Sequence, residues 1–284
     1  MNTRKVIEQM KARPASDGDG VKLLRVFGGQ QPERFDPFLL MDEFGSDKAS
    51  DYIGGFPAHP HRGFETITYM LQGKMEHRDH MDNVGLINDG DVQWMTAGKG
   101  IIHSEMPRQT EGEMRGFQIW LNLPARNKMK PAVYKDVPGD NIPTYASDGV
   151  FIKAIAGKTT LGDVAVNGYF DIADTEAVYL DVHLAKGKQI SLPIATDLNT
   201  LVYMYEGKVA LGDNMTHAGP QTLSRMNTFG DLVIANTGET LARLLVLAGK
   251  PLREPIAQHG PFVMNTYDEI NQAVEDYRNG VLTD

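Results

Sequence analysis

The chain of 284 residues contains no cysteine. Disulfide bonds are therefore excluded, and so are thiolate ligands, which leaves no cysteine sulfur to favour Cu(I) or an iron–sulfur cluster. Any metal site is expected to use histidine and oxygen ligands. Because nothing in the cysteine usage points to an oxidising compartment, a cytoplasmic location is the expectation.

Long apolar segments and an excess of positive charge are also missing. No run approaches the roughly 18 apolar residues that a membrane-spanning helix requires. The opening segment MNTRKVIEQMKARP lacks the apolar core and cleavage site expected of a secretory signal. Lysine and arginine number 28 against 37 aspartate and glutamate, giving a net charge of −9, with no basic cluster. We therefore expect neither membrane insertion nor direct binding of nucleic acid.

Turn-forming residues, by contrast, are abundant. The 29 glycines, together with proline and Asn/Asp turns, separate short β-type segments at intervals of roughly ten residues, which is typical of an all-β sandwich or barrel. One segment near the end has helical periodicity. There Thr266 and Glu269 form a capping-box pair before YDEINQAVEDYRN, and Gly280 is placed to end the helix. The sequence therefore predicts an all-β protein with one short C-terminal helix.

The chain also contains an internal repeat. TITYMLQGKMEHRD resembles NTLVYMYEGKVALG, which aligns Tyr69 with Tyr203 and Gly73 with Gly207. A second similarity sets DGDVQWMTA against FGDLVIANT, since in both segments a Gly-Asp turn enters an apolar strand. Repetition of this kind indicates two related β-domains in tandem.

Two short clusters have the spacing of a mononuclear metal site. His59 and His61 stand two residues apart in AHPHRGFETITYMLQG, and His103 and Glu105 stand two apart in TAGKGIIHSEMP. Side chains two apart on a strand point to the same face, so each pair can reach one point. Three imidazoles and a carboxylate suit one divalent metal, Fe(II), Mn, Ni, Cu, Co or Zn, and ligand type does not choose among these metals.

The second copy of the repeat lacks such clusters. The alignment places Pro193 where His59 stands and Ala195 where His61 stands, and around residue 243 the second copy offers only LARLLVLAG. We therefore expect one metal per chain, bound in the N-terminal domain.

The domain boundary is expected where WLNLPARNKMKPAVYKDVPGDNIP, with its prolines and mixed charge, indicates a linker. The predicted N-terminal domain covers residues 1–135 and binds the metal. The predicted C-terminal domain covers residues 136–284 and binds none. Proline and glycine interrupt GKPLREPIAQHGPFVMN, so this segment is predicted to be an extended arm that, with the terminal helix, packs back on the body of the protein.

The same segments resemble signature segments of the pirins, a bicupin family of the cupin superfamily. The resemblance is carried by FPAHPHRGFETITYMLQG, DGDVQWMTAGKGIIHSEMP, GFQIWLNLP and EPIAQHGPFVMNT, which lie between residues 56 and 266. It implies two tandem cupin barrels of the jelly-roll type. It also implies one iron ion, whose ligands are His59, His61, His103 and Glu105.

One departure from the general cupin pattern follows the pirins. Glu105 comes two residues after His103, whereas most cupins take their acidic ligand from the first motif, where this chain has Glu65. Glu65 is accordingly expected behind the ligands, orienting one of the ligand histidines. The alternative for Glu65 is a plain carboxylate on a strand face.

Some pirins resemble quercetin 2,3-dioxygenases in fold and activity, so the resemblance implies a flavonol and dioxygen as substrates. The metal would lower the pKa of the flavonol 3-hydroxyl, and Glu105 is the expected base that removes its proton. Pirins are also described as partners of transcription factors. The alternative function is therefore a metal-binding regulatory protein with protein partners. A cupin-type isomerase is less favoured, since nothing resembles its phosphate- or sugar-binding residues.

Four aromatic residues are candidates for the walls of a substrate pocket: Phe56, Trp94, Phe117 and Trp120. Aromatic side chains in β-strands also fill hydrophobic cores, so both interpretations stay open at this point.

Two further histidines, His77 and His80 in MEHRDHMDN, stand three residues apart. That spacing would place them on one face of a helix, but not on a strand that runs into a loop. We expect both to make turn hydrogen bonds and not to bind the metal.

Overall fold

The computed structural model describes residues 2–29 and 31–284. The chain divides into two compact units, Met1–Ala12 with Asn141–Pro251 and Arg13–Asp140 with Leu252–Asp284. Strands dominate both units, and one α-helix lies near the end of the chain. The predicted all-β fold with a short C-terminal helix is therefore confirmed. No helix in the described ranges is long and apolar enough to cross a membrane.

The elements are numbered in chain order. The strands up to residue 137 are β1 (Val6–Lys11), β2 (Arg13–Asp17), β3 (Val21–Gly28), β4 (Phe38–Ser46), β5 (Phe56–His61), β6 (Phe64–Gln72), β7 (Met75–Asp79), β8 (Val84–Ile87), β9 (Val92–Thr96), β10 (Ile101–Pro107), β11 (Met114–Asn122) and β12 (Val133–Val137).

The later elements are β13 (Thr144–Ser147), β14 (Val150–Ala156), β15 (Lys158–Leu161), β16 (Val164–Asn167), β17 (Val178–Leu184), β18 (Gln189–Leu192), β19 (Asn199–Glu206), β20 (Val209–Leu211), β21 (Thr216–Ala218), β22 (Thr222–Met226), β23 (Leu232–Asn236), β24 (Ala242–Gly249), β25 (Ala257–His259), β26 (Phe262–Met264) and the helix α1 (Tyr267–Arg278).

In the unit of Arg13–Asp140 and Leu252–Asp284, two antiparallel sheets carry the predicted site. The seven-stranded sheet has the order β12-β9-β6-β11-β4-β3-β2, and the four-stranded sheet has the order β5-β10-β7-β8. The Phe, Thr, Ile and Tyr of β6 favour a pleated, buried strand. Gly73, at φ 104°, then turns the chain into β7. Both clusters of predicted ligands lie in the four-stranded sheet.

The unit of Met1–Ala12 and Asn141–Pro251 repeats this arrangement. Its two large sheets have the orders β1-β22-β19-β24-β17-β14-β13 and β18-β23-β20-β21. Aliphatic side chains from both sheets form its core, among them Ile152, Val202 and Leu244. Each such fully buried side chain contributes roughly 1.5–3 kcal/mol of hydrophobic stabilisation. This unit is therefore a packed body with a core of its own.

The two units correspond strand for strand. The hairpin of β6, Gly73 and β7 matches that of β19, Gly207 and β20, and the sheet orders then match β9 with β22 and β10 with β23. The second predicted similarity is wrong, because DGDVQWMTA leads into β9 of a seven-stranded sheet whereas FGDLVIANT leads into β23 of a four-stranded sheet. A Gly-Asp turn before an apolar strand is a local signal that recurs at different hairpins.

The terminal helix begins where the capping box predicts. Thr266 is the N-cap, and the reciprocal hydrogen bonds between Thr266 and Glu269 are both present. Ile270 and Ala273 are buried and cluster with Phe262 of the β25–β26 hairpin. The segment predicted as an extended arm therefore contains a short hairpin on which the helix packs.

The compact units differ from the predicted bounds of 1–135 and 136–284 at both termini. β1 belongs to the later unit because it pairs with β22, and because the buried Arg4 guanidinium donates to carbonyl oxygens after β18. The arm and helix belong to the earlier unit. There the buried Arg62 donates to Asp276 of α1 at 2.6 Å.

Candidate metal centre

Pairing of β5 with β10 joins the two predicted ligand clusters. His59 lies opposite His103, and His61 lies opposite Ile101. One ring nitrogen from each of His59, His61 and His103 lies within 4.8 Å of the others. The ring centroid of His103 lies 4.4 Å from that of His59 and 5.0 Å from that of His61. Three imidazoles therefore converge on one point.

Backbone carbonyl groups fix the orientation of two of these rings. His59 Nδ1 lies 2.8 Å from the oxygen of Pro57, and His61 Nδ1 lies 3.3 Å from the oxygen of Pro261. A carbonyl oxygen only accepts, so both Nδ1 atoms carry the proton and both Nε2 atoms carry the lone pair. Burial, and next the neighbouring His59, lower the pKa of His61 well below its usual value, which keeps that ring neutral.

The Nε2 atoms of His59 and His61 lie 3.1 Å apart. With both protons on the outer nitrogens, two lone pairs face each other, an arrangement that a cation would stabilise. His103 Nε2 is buried and has no hydrogen-bond partner among the described residues. Burial also lowers the pKa of His103 well below its usual value. Two imidazole lone pairs that face each other, beside a buried imidazole nitrogen of His103 that has no partner among the described residues, fit a divalent metal.

Glu105 does not belong to the group of mutually close ligand atoms. Its strand pairing shifts after His103, so that Glu105 lies opposite Phe56 of β5. The carboxylate is buried, and Thr68 Oγ1 lies 3.2 Å from its Oε1. Burial raises the pKa of Glu105. Its roles as fourth ligand and as base remain predictions.

Glu65 lies elsewhere than predicted. Its carboxylate accepts from Trp94 Nε1 at 3.0 Å, from Thr96 Oγ1 at 2.7 Å and from Lys130 Nζ at 3.0 Å. Successive residues of a strand point to opposite faces, so Glu65 lies across the sheet from Thr68, which faces Glu105. The prediction that Glu65 orients a ligand histidine is therefore wrong, and the alternative of a strand-face carboxylate holds.

The two histidines after β6 have different surroundings. His80 is exposed, and its Nδ1 accepts from the backbone N–H of Ile102 in β10 at 3.3 Å, so its partner lies on a neighbouring strand and not within the turn. His77 is fully buried and lies opposite Glu105 in the pairing of β7 with β10. Its Nε2 lies 2.8 Å from His103 Nδ1. The prediction of a turn hydrogen bond is wrong for His77, which contacts His103, one of the predicted ligands.

A cavity of about 540 Å³ opens over the histidines. His59, His61 and Glu105 form part of its lining, together with Phe56 and Trp120 among the predicted aromatic residues. Further lining residues come from β3, β4 and β7 and from the arm: Leu23, Leu40, Phe44, Met75, Gln258 and Pro261. The site therefore lies at the wall of a pocket large enough for a small organic ligand.

The other two predicted aromatic residues do not line this cavity. Trp94 donates to Glu65, and Phe117 is fully buried with its ring 6.3 Å from that of Tyr69. Gln118, the next residue on β11, lines the cavity. Phe117 therefore points to the opposite face of the sheet, as Trp94 does with its partner Glu65. The pocket prediction is wrong for these two residues, which fill the core.

A row of polar side chains crosses the seven-stranded sheet at the cavity. Register places Arg25 opposite Asp42, Asp42 opposite Gln118, and Gln118 opposite Thr68. Arg25 donates to both carboxylate oxygens of Asp42, at 3.0 and 2.8 Å, and Thr68 Oγ1 lies 2.6 Å from Gln118 Oε1. The sequence alone did not reveal this polar row, because its members lie on four different strands.

The later unit has apolar residues at the matching positions. Counting from the matched hairpins, the pairing registers place Leu232 and Ile234 where His103 and Glu105 stand. The same registers place Leu192 and Ile194 at the positions of His59 and His61. All four belong to the core of that unit.

The predicted counterparts Pro193 and Ala195 are thus one residue out of register, and both are exposed. The segment 243–249 belongs to β24, which matches β11 and not the strand of His103. No ligand-type side chain occupies the matched positions either, so one metal per chain, bound in the earlier unit, remains the prediction.

Comparison with known families and proteins bears directly on this site. A model of the Pirin family matches residues 20–121, and a model of the Pirin C-terminal cupin domain matches residues 179–283. The chain belongs to the pirin family. The resemblance inferred from the motifs, and the two-domain cupin architecture it implies, are thereby confirmed.

Similarity to individual pirins extends over almost the whole chain. A Pseudomonas aeruginosa protein named "Putative quercetin 2,3-dioxygenase" is 50% identical over 281 residues, which cover 98% of both chains. Pirin of Homo sapiens is 38% identical over 281 residues, 98% of this chain and 93% of the human one. Bacterial and eukaryotic pirins thus share the full architecture.

Solved structures have the same fold. The crystal structure of quercetin 2,3-dioxygenase from Acinetobacter baumannii is 33% identical, has a TM-score of 0.89 and is matched over 98% of both chains. A bacterial pirin from Escherichia coli, in complex with nickel(II), is 20% identical with a TM-score of 0.62, over 88% of this chain and 98% of that one. At that identity, the second comparison shows the shared pirin fold.

Proposed function

We propose that this pirin is a metal-dependent dioxygenase that opens the ring of quercetin or a related flavonol, with iron as its metal. The observation that carries the proposal is the convergence of His59, His61 and His103 at the wall of a cavity of about 540 Å³. Pockets of roughly 300–1,000 Å³ suit ligands of flavonol size. Relatives named quercetin 2,3-dioxygenase support the reaction class.

The proposed ligands are His59, His61, His103 and Glu105, a borderline-hard set that suits iron and other divalent metals. When bound, the metal would supply Lewis acidity toward a phenolic oxygen and the redox activity that a reaction with dioxygen requires. Backbone carbonyl groups orient His59 and His61 so that their Nε2 lone pairs face each other, and burial lowers the pKa of His61 and His103, so the ligand geometry needs little rearrangement.

Glu105 is the proposed base for the flavonol 3-hydroxyl. Burial raises its pKa, which makes its carboxylate a stronger base than an exposed one. Thr68 Oγ1 lies 3.2 Å from the carboxylate and can stabilise either form by donating or accepting. Proton transfer from the hydroxyl to Glu105 would leave the substrate as an oxyanion beside the three histidines.

The cavity walls suit a flat, hydroxyl-bearing molecule. Phe56 and Trp120 offer ring faces to an aromatic ligand, and Gln118 and Asp42 offer hydrogen-bond acceptors along the polar row. Because Arg25 is already paired with Asp42, it is not free to recruit an anion. We therefore expect neutral phenols to be preferred over carboxylated or phosphorylated analogues.

The test is turnover of quercetin by protein reconstituted with each metal in turn. Loss of the flavonol visible absorbance should accompany oxygen uptake in equal molar amounts, with iron among the active metals. His103→Ala should abolish turnover and metal binding, while His80→Ala, which changes an exposed histidine, should leave both unchanged. Wild-type protein that holds iron and consumes neither quercetin nor other flavonols would remove the proposal.

A metal-binding regulatory protein is the second candidate. The resemblance to the pirins, which are also described as partners of transcription factors, favours it, and the chain is 38% identical with human pirin over nearly its full length. In that case the metal would act as a structural or redox-sensing element and the protein would have protein partners. Inactivity of the iron-loaded wild type, together with a metal-dependent change in binding to a protein partner, would favour this function.

A further inference from the structure

His77 is an unusual neighbour for a metal ligand. It lies on β7, opposite Glu105 of β10, and is fully buried. Its Nε2 lies 2.8 Å from His103 Nδ1, so the hydrogen bond joins the outer nitrogen of His103 to a second imidazole. The ring of His77 also packs on Tyr134 with a centroid distance of 5.0 Å.

This contact differs in kind from those of the other two ligand histidines. The carbonyls of Pro57 and Pro261 can only accept, so they force the Nδ1–H form of His59 and His61. An imidazole nitrogen can donate or accept. His103 is therefore the one predicted histidine ligand whose tautomer is not set by a backbone carbonyl.

Two arrangements of the protons are possible between two neutral rings. In the first, His103 Nδ1–H donates to His77 Nε2, which leaves the lone pair of His103 on Nε2, facing the metal position. In the second, His77 Nε2–H donates, which puts the proton of His103 on Nε2 and prevents that atom from binding a metal. In both, the buried His103 Nε2 and His77 Nδ1 lack partners within the described part of the chain.

We infer that His77 is a positioning residue, which accepts the proton of His103 Nδ1 in the metal-bound state and thereby makes His103 Nε2 a ligand. Metal binding then selects the first arrangement, and His77 carries its own proton on Nδ1. The inference rests on the proposed metal site and deepens it. Partners of this kind, behind the ligand, typically change metal affinity by about 10–100-fold when removed.

The later unit supports this assignment from within the same chain. The matched hairpins place Leu211 at the position of His77, since Val209 corresponds to Met75. Leu211 is fully buried in the aliphatic core that also contains Leu232, which stands at the position of His103. Where the ligand positions carry aliphatic side chains, the position of His77 is aliphatic as well. The imidazole at this position thus accompanies the ligands and is not required to pack the barrel.

Zinc affinity of two variants tests the inference without turnover. In His77→Gln, the amide oxygen can stand near the position of Nε2 and accept from His103 Nδ1–H. In His77→Leu the shape is roughly kept and the acceptor is lost. We expect the zinc affinity, measured by competition with a chelator, to fall about 10–100-fold in His77→Leu and to stay within about threefold of wild type in His77→Gln.

His80→Leu is the matched control, since it removes an exposed imidazole three residues away. It should leave zinc affinity unchanged. Melting of the metal-free proteins shows whether each variant is folded. Unchanged affinity in a folded His77→Leu protein would overturn the inference. So would equal losses in the Gln and Leu variants, because the acceptor would then be irrelevant.

A second measurement on the wild-type protein does not depend on any variant folding. Long-range ¹H–¹⁵N NMR of the zinc-loaded protein, with labelled histidine, reports which ring nitrogens carry protons. We expect His103 protonated at Nδ1 and His77 protonated at Nδ1 but not at Nε2. A proton on His77 Nε2 in the zinc form would overturn the inference.

These outcomes separate the inference from the proposed function. Wild-type protein that binds no zinc would remove the metal site and this inference with it. Protein that binds zinc with the expected tautomers, yet with iron does not consume quercetin, would remove the dioxygenase proposal and leave the role of His77 intact.

Discussion

At the scale of single residues, exclusion of water controls the site. Burial lowers the pKa of His61 and His103 well below their usual values and that of His77 to about 4. The same burial raises the pKa of Glu105. Desolvation thus favours the neutral form of every one of these groups, and neutral imidazoles are the form that binds a metal.

The neutral histidines predict that the metal-free protein loses stability as the pH falls below about 6.5. Unfolded chains take up protons on these histidines in that range, whereas the folded chain does not. Glu105 has the opposite effect on stability, because its raised pKa lets the folded chain bind a proton at a higher pH than the unfolded chain does. The three histidines outnumber this single group, so the net stability still falls. Urea unfolding at several pH values between about 7.5 and 5 checks this, and His61→Phe should show a weaker pH dependence. A midpoint independent of pH would contradict it.

Glu105→Gln should reduce flavonol turnover by about 10²–10⁴, the usual effect of a positioned general base. Gln keeps an oxygen of similar size, so partial metal binding should persist, while deprotonation of bound quercetin, followed by its absorption band, should move to higher pH. Glu65→Gln is the control and should keep both metal and turnover, because Glu65 lies on the other face of β6. Normal turnover in Glu105→Gln would show that Glu105 is at most a ligand.

At the scale of elements, the seven-stranded sheet presents two chemically different faces. One face carries the polar row of Arg25, Asp42, Gln118 and Thr68 toward the cavity, and the other carries core groups such as Phe117. The alternation of each strand separates these faces by one residue. The polar row is therefore a property of four neighbouring strands in register, and not of one motif.

Gln118→Met should raise the KM for quercetin about three- to tenfold with little change in kcat, as expected when about 0.5–1.5 kcal/mol of hydrogen bonding to substrate is lost. Methionine keeps the length of the side chain and removes the amide. Gln93→Met is the matched control, since Gln93 lies opposite Thr68 but donates to Asp136 and does not line the cavity. Equal kinetic effects of the two changes would exclude the proposed recognition by the polar row.

At the scale of the whole molecule, the C-terminal segment completes the metal-site unit. Lys128 Nζ donates to the carbonyl oxygens of Gly63 and Val263, and Arg62 donates to α1. The absence of a side chain on Gly63, at φ 91°, allows the backbone of Val263 to lie close to it, because a β-carbon on Gly63 would lie 2.0 Å from the oxygen of Val263. Pro261 meanwhile orients His61. The last residues of the chain thus hold the first ligand strand in place.

Deleting residues 255–284 should therefore destabilise the whole metal-site unit and lower metal content. The melting temperature should fall by more than the few degrees that about 1 kcal/mol represents. Tyr267→Ser, which changes a side chain that is 70% exposed on α1, should leave the melting temperature unchanged. A truncated chain that melts with the wild type and keeps its metal would show that the segment is dispensable.

Metal content should be one per chain. The later unit has Leu192, Ile194, Leu232 and Ile234 at the matched ligand positions, and an aliphatic core does not bind a cation. His61→Ala should lower the metal content sharply while the protein stays folded, because the two cores bury far more apolar surface than the site involves. Elemental analysis that finds two metals per chain, or full occupancy in His61→Ala, would contradict this.

Much of this protein follows from the sequence because the relevant signals are local. Side chains two apart on a strand share a face, so His59, His61 and His103 could be predicted as ligands from spacing. The capping box of Thr266 is complete within one turn, and the helix begins where it predicts. Glycine turns at short intervals predicted the all-β fold, and the repeated segment that aligns Gly73 with Gly207 predicted the two tandem domains.

The remaining features depend on register between strands, which spacing along one strand does not give. The alternation of β6 and β11 does not tell which face meets the cavity, so the prediction for Glu65 is wrong and the sequence left Phe117 open between pocket and core. His77 meets His103 only because β7 pairs with β10.

The alignment of the two units also depends on strand register that the sequence does not give. The interval from His61 to Tyr69 is one residue shorter than the interval from Ile194 to Tyr203. An alignment on the two tyrosines is therefore one residue out of register at the ligand positions, and it selects exposed residues instead of buried ones. A sequence specifies which side chains share a face of one strand, but tertiary pairing decides which faces meet, because hydrogen bonds between strands can form in any register until the core selects one.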